Sequence, residues 1–396
     1  MKNLLSICAL SFSALVLSAC ISNDESVNAQ TCNSGNVILT ADFAAGRMDE
    51  CKSLGNSEYF ITLKPENTHI NVNTPINSSP WYAFKIQAKQ PTTIKVTMVV
   101  RGDKHRYLPK ISPDGLNWKS QSHKFNGKRL IMDIDVSQDA VYISAQEIID
   151  NQYYVDWANT LQNKMKVSYD VLGQSTKGRP IYKIESKSNS KEWLVVLGRQ
   201  HPPEITGALA LFPFVETLLA DNTLAKQFRE KFNVLVIPNI NPDGVFMGNW
   251  RYNANGLDLN RDWIKFSQPE IQHIHNYLQS LVAKGQKIKF AIDFHSTKHD
   301  VFYSMPVSYG VEDAYFVKHW LGTLDKAMPN FDVIQKPGNK PNNGVSKQYF
   351  ADNYNVHAIT YEAGDETNRD KIKIIAKNAS TLLMKTMLSN TNHNKE

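Results

Sequence analysis

The stretch EWLVVLGRQHPPEITGALALFPFVETLLA, Glu192 to Ala220, sets an apolar run of strand length before an apolar pattern of helix length, with two prolines at the joint. The first run, closed by Gly198, reads as a buried strand, and the segment after the prolines reads as a helix. The joint holds His201 and Glu204, three positions apart. Prolines stiffen such a loop and preset Glu204 at the helix start. By itself a His-x-x-Glu pair is common, and a first-turn glutamate already has a role beside the helix dipole. The pair takes its meaning from partners elsewhere in the chain.

The same alternation continues downstream. NVLVIPNI, PEIQHIHNYLQSLVAKG, KIKFAIDFHS, VHAITYEAG and a last helical pattern from about Arg369 to Leu388 follow in order. Strands alternating with helices predict an α/β unit with a mixed, mainly parallel sheet flanked by helices. Ligands of such sheets sit beyond the carboxyl ends of the strands. His201 and Glu204 follow the first apolar run; Asn241-Pro-Asp-Gly244, Arg251 and Asp258-Leu-Asn260-Arg261 follow the second. The third run ends in His295 and the fourth in Glu362.

Chemistry gives these types a common purpose. Two imidazoles and a carboxylate make the three-ligand set of a catalytic zinc, with a fourth position left open. The metal lowers the pKa of its water toward neutrality, and a carboxylate outside the ligand set can take the proton. His201, Glu204 and His295 suit the first task and Glu362 the second.

Upstream, from about Cys32 to Ala145, the pattern changes. WYAFKIQA, TTIKVTMVV, RLIMDIDV and AVYISA alternate apolar with polar residues between Pro, Gly, Asn and Asp. They predict a small antiparallel β-sandwich. The helical-looking stretch Glu147 to Met165 marks the passage into the α/β unit.

The 396 residues have room for both units. A hydrophobic fraction of 42% and a charged fraction of 21% are those of a globular protein. The net charge of +6 is scattered, with no basic arm or aromatic-interleaved patch, so nucleic-acid binding is not indicated. MKNLLSICALSFSALVLSAC opens with one lysine, a short apolar run and small residues before a cysteine, the layout of an export signal. Leu17-Ser18-Ala19-Cys20 resembles a bacterial lipobox. That resemblance implies cleavage before Cys20, lipidation of its thiol and, with Ile21 next, the outer membrane facing the periplasm. Cys32 and Cys51 then remain as an even pair in an oxidising compartment and are expected to be bridged. The expected division is a signal at 1–19, a tether at 20–31, the sandwich at 32–148 and the α/β unit at 149–390.

His201-Pro-Pro-Glu204, Asn241-Pro-Asp-Gly244, Arg251, Asp258-Leu-Asn260-Arg261, His295 and Glu362 together resemble the ordered motifs of zinc carboxypeptidases of the M14 (funnelin) family. Gly173 to Ile181 resembles that family's opening hairpin. SPWYAFKI and HRYLPKISPDGLNW are similar to the β-sandwich before the catalytic domain in the cytosolic-carboxypeptidase-like branch. The resemblance implies one zinc per chain on His201, Glu204 and His295, with Asp258 orienting His201. It gives Arg251 the scissile carbonyl, Asn260 and Arg261 the free α-carboxylate of a peptide, and Glu362 the proton. Hydrolysis of the C-terminal peptide bond by metal-activated water follows.

Two features depart from the family pattern. Digestive members carry a mobile tyrosine upstream of the catalytic glutamate, where this chain reads GNKPNNGVSKQ, and the nearest tyrosine is Tyr349, 13 residues before Glu362. Lys347 falls where the family sets side-chain preference. A lysine there favours an acidic terminal residue, while a solvated loop lysine is the plainer reading. Two rival functions share most of these features: an amidase or deacylase acting on peptidoglycan stem peptides or acyl-amino acids, and a catalytically silent envelope binding protein. The sequence leaves the oligomeric state open.

Overall fold

A computed structural model of the chain describes residues 31–66, 78–165 and 167–393. The export signal, Cys20 and the tether up to Gln30 lie outside the described residues.

The α/β unit is built on an eight-stranded sheet. Its order is Ser168–Gln174, Pro180–Ser186, Asn233–Ile237, Glu192–Gly198, Lys287–Thr297, Ala358–Gly364, Val301–Ser304 and Gln335–Pro337. The four central strands run parallel. On one side lies an antiparallel hairpin, and on the other Val301–Ser304 runs antiparallel to Ala358–Gly364. Central strands covered on both faces need apolar residues at successive positions, and all five residues of Asn233–Ile237 are buried.

The two faces feed different cores. Leu194, Val196, Ile292, Phe294, Ile359 and Tyr361 pack with the helices Ile205–Leu219 and Arg369–His393. Trp193, Val195, Leu197, Ala291 and Ala358 pack with Pro269–Ala283 and Ser346–Tyr354. Each fully buried Leu, Ile or Phe contributes on the order of 1.5–3 kcal/mol, so this double cover fixes the sheet and the ends of its strands.

Before it stand two smaller sheets. One joins Thr31–Asn33, Val37–Thr40, Ala83–Ala88, Val141–Ser144, Lys110–Ser112 and Lys119–Ser120. The other joins Glu50–Gly55, Glu58–Leu63, Thr92–Val100, Arg129–Val136 and Lys124–Phe125. Cys32 and Cys51 are bridged across the two, with Cα atoms 5.6 Å apart.

Several details differ from the sequence expectation. The second small sheet is not wholly antiparallel, because Glu58–Leu63 runs parallel to Thr92–Val100. Period-two alternation reports which face is buried and is blind to strand direction. The helix expected from Glu147 starts at Asn151, where Asp150 Oδ1 accepts the Tyr153 N–H at 3.0 Å and supplies the cap. The strands expected to end at His295 and Glu362 continue to Thr297 and Gly364, paired residue for residue.

Candidate active site

The joint between Glu192–Gly198 and Ile205–Leu219 is a tight turn held from within. Arg199 takes a left-handed φ of 56°, and its side chain donates to the Pro202 carbonyl at 2.8 Å and the Tyr154 hydroxyl at 2.9 Å. Glu204 sits at the helix N-cap, and His201 faces it at 2.9 Å from Nδ1 to Oε1. From the neighbouring strand His295 brings its Nδ1 to 2.7 Å from Glu204 Oε2 and 3.2 Å from His201 Nδ1. Gly207 permits the approach, since a Cβ there would stand 2.5 Å from the His295 carbonyl oxygen.

The donor set tests itself against a metal. His201 Nε2 lies 2.9 Å from Asp258 Oδ1, and His295 Nε2 lies 2.9 Å from Asp293 Oδ2. A ring that donates its Nε2 proton to a carboxylate presents a bare lone pair at Nδ1. Two such lone pairs and a carboxylate, all buried and within 4.8 Å of one another, repel unless a cation sits among them. Two imidazole nitrogens and one carboxylate oxygen suit zinc, so these residues fit the metal.

Without a metal, the same cluster draws in a proton instead. Burial would raise the Glu204 carboxyl, but the attraction of His201 and His295 holds it well below the usual carboxylate range. Burial would lower His295, yet Asp293 and Glu204 raise it well above the ordinary imidazole value. Glu362 stands opposite His295 in the strand register. Burial and the charge of Glu204 push its carboxyl up to about 7. Its Oε2 is buried with no hydrogen-bond partner among the described residues.

A cavity of about 340 Å³ joins these groups to others named from the sequence. His201, Glu204, Glu362, Arg251, Asn260, Arg261 and Lys347 all line it. Arg251 donates to Asp258 Oδ2 at 2.8 Å, so one carboxylate serves both the guanidinium and His201. Asn260 accepts the Ser346 N–H at 2.9 Å. Arg261 donates to the Asn260 carbonyl at 2.6 Å and lines the cavity.

Lys347 is not a solvated loop residue. It lies in the first turn of Ser346–Tyr354, is 8% exposed, and donates to the Ser304 carbonyl at 2.8 Å. Burial, with Lys340 nearby, lowers its ammonium to about 8. Tyr349 points away from the cavity, under Trp263, with its hydroxyl 2.9 Å from His275 Nδ1 and 2.8 Å from the Tyr354 hydroxyl. It is therefore no substitute for a mobile tyrosine; Tyr303 lines the cavity instead.

Two contributions went unread in the sequence. Asp293 sits two positions before His295 on the same strand face, and that spacing was the available signal. Arg106, from the sandwich, lines the cavity as well; it lies in the quoted stretch HRYLPKISPDGLNW, but nothing in that stretch ties it to the site.

Residues 154–385 match the family model described as zinc carboxypeptidase, Peptidase_M14. Cytosolic carboxypeptidase 2 of Danio rerio is 35% identical over 145 residues, 33% of this chain and 20% of that protein. The chain thus spans about a fifth of that relative's length. A metallo-carboxypeptidase from Burkholderia cenocepacia has the same fold, with a TM-score of 0.76 at 16% identity over 89% of this chain and 99% of that one. A metallo-carboxypeptidase from Pseudomonas aeruginosa, in complex with (2-guanidinoethylmercapto)succinic acid, gives 0.71 at 20% identity over 87% and 98%.

Proposed function

The chain belongs to the zinc carboxypeptidase (M14) family, and on that premise we propose that it is a zinc metallocarboxypeptidase removing single residues from the C-termini of peptides. One observation carries the reading. His201 and Glu204, which form a buried triad with His295, and Glu362, whose buried Oε2 has no partner among the described residues, share one cavity with Arg251, Asn260 and Arg261.

One zinc per chain, held by the triad, would supply positive charge that acidifies a water molecule and polarises a carbonyl. The rest of the work belongs to side chains. Arg261 receives the substrate's free α-carboxylate through a charge-assisted fork, and Asn260 shapes that end of the cavity. Arg251, fixed by Asp258, stands where negative charge develops on the scissile carbonyl oxygen. Glu362 takes the proton of the attacking water and passes it to the leaving amine. Its raised pKa suits both halves of that transfer, since a base poised near neutrality can also serve as an acid. Lys347, buried and lining the cavity, favours an acidic terminal side chain.

The division into sandwich and catalytic unit, and export with lipid anchoring through Cys20 at the outer membrane, complete the proposal. Both rest on the sequence patterns given above. The test is release of single amino acids from peptides by the purified, zinc-loaded chain. Equal turnover of amidated peptides would favour the amidase reading, which needs no free carboxylate.

A further inference from the structure

The sandwich touches the catalytic segments through three side chains far from them in sequence. Glu66 accepts three backbone N–H groups in a row: Trp250 at 2.8 Å on Oε2, and Arg251 at 2.9 Å and Tyr252 at 2.7 Å on Oε1. Those amides carry Arg251, the proposed oxyanion residue. Arg106 forks onto Asp365, Nε to Oδ2 at 2.8 Å and NH2 to Oδ1 at 3.0 Å. Its NH2 also donates to the Ser296 carbonyl at 3.0 Å, and its NH1 donates to the Ser79 hydroxyl. Ser296 follows the ligand His295, and Asp365 closes the strand that carries Glu362. The Tyr107 hydroxyl donates to the Pro203 carbonyl at 3.4 Å, inside the His201–Glu204 turn.

We propose that Glu66, Arg106 and Tyr107 are positioning residues through which the N-terminal sandwich sets the geometry of the active site; the inference rests on the carboxypeptidase reading. Together they reach all four segments that carry the ligands, the oxyanion arginine and the base. The contacts are of the kind that fixes direction as well as distance. A carboxylate gripping three consecutive amides orients a loop, and a fork on a carboxylate fixes an angle that a lysine cannot. The Arg106–Asp365 pair is shielded, with side chains 10% and 6% exposed, so water offers little substitute for it. Arg106 spends four of its five N–H donors on the protein, which makes it a brace first.

The test compares Arg106→Lys, Glu66→Gln and Tyr107→Phe in the full chain. Three quantities are read: zinc affinity by chelator competition, kcat and KM on one peptide, and Tm. Ile134→Val, a cavity variant deep in the sandwich core, controls for loss of stability alone. Arg106→Lys should weaken zinc binding by about tenfold or more, as loss of an outer support of a ligand does. Glu66→Gln should lower kcat by about tenfold or more through misplacement of Arg251, with KM and zinc affinity within about twofold. Tyr107→Phe should show a smaller loss of the first kind. Ile134→Val should lower Tm and leave kcat and zinc affinity unchanged.

Folded Arg106→Lys and Glu66→Gln proteins with wild-type zinc affinity and kcat would overturn the inference, as would losses in Ile134→Val of the same size. If Arg106→Lys does not fold, Glu66→Gln decides. If the wild-type chain releases no amino acid, the carboxypeptidase reading falls, and the zinc affinity of Arg106→Lys alone judges the brace.

Discussion

His295 and Glu362 stand directly opposite each other on neighbouring parallel strands. One faces the cluster that fits a metal, and the other offers an unpaired buried oxygen to the same cavity. Replacing Glu362 by Gln keeps the shape and removes the proposed base. Turnover should fall by about 10²- to 10⁴-fold, while zinc content by elemental analysis stays at wild-type level. Because the working base is the ionised form, kcat/KM should also decline as pH falls through the Glu362 pKa. Burial and the charge of Glu204 raise that value to about 7. The acidic limb should therefore lie near neutrality, and Glu362→Gln should abolish it.

Asp293 holds the Nε2 of His295, as Asp258 holds that of His201. Asp293→Asn should weaken zinc binding by about 10- to 100-fold, measured by chelator competition, with the fold intact by circular dichroism. Asp258→Asn should do the same and also lower kcat, because Arg251 loses its anchor.

Lys347 should set preference at the terminal side chain. Its pKa is lowered to about 8 by burial, so the ammonium is present below that pH and lost above it. For a peptide ending in an acidic residue, KM should rise as pH passes through 8, and for one ending in leucine it should not. Lys347→Met should raise KM for the acidic peptide by about tenfold or more and flatten that pH dependence.

The Cys32–Cys51 bridge spans 19 positions and joins the two small sheets. The chain-entropy account assigns a loop of that size about 3 kcal/mol. Replacing both cysteines by alanine should lower the urea midpoint accordingly, with kcat little changed as long as the sandwich stays folded.

What the sequence disclosed and what it hid follow physical lines. His201, Glu204, His295 and Glu362 were legible because apolar strands announce themselves, and polar residues just past them stand out. Asp293 was harder, being one more residue of a buried strand, visible only through its alternation with His295. The helix bearing Lys347 has no capping side chain, with Val345 at its N-cap, and so reads as loop. Glu66 and Arg106 act across about 184 to 259 positions of chain, and no local pattern carries such contacts. The parallel pair in the sandwich was hidden for the same reason: alternation shows a face, not a partner.

The proposed activity is that of a zinc exopeptidase that reads a free C-terminus. The most direct test offers the zinc-loaded chain one peptide in two forms, with a free and with an amidated C-terminus, and follows the release of the last residue. A zinc exopeptidase should hold one zinc per chain, release the last residue from the free form, and release none from the amidated form. Equal release from both, or zinc at full occupancy with no release from any peptide, would contradict it.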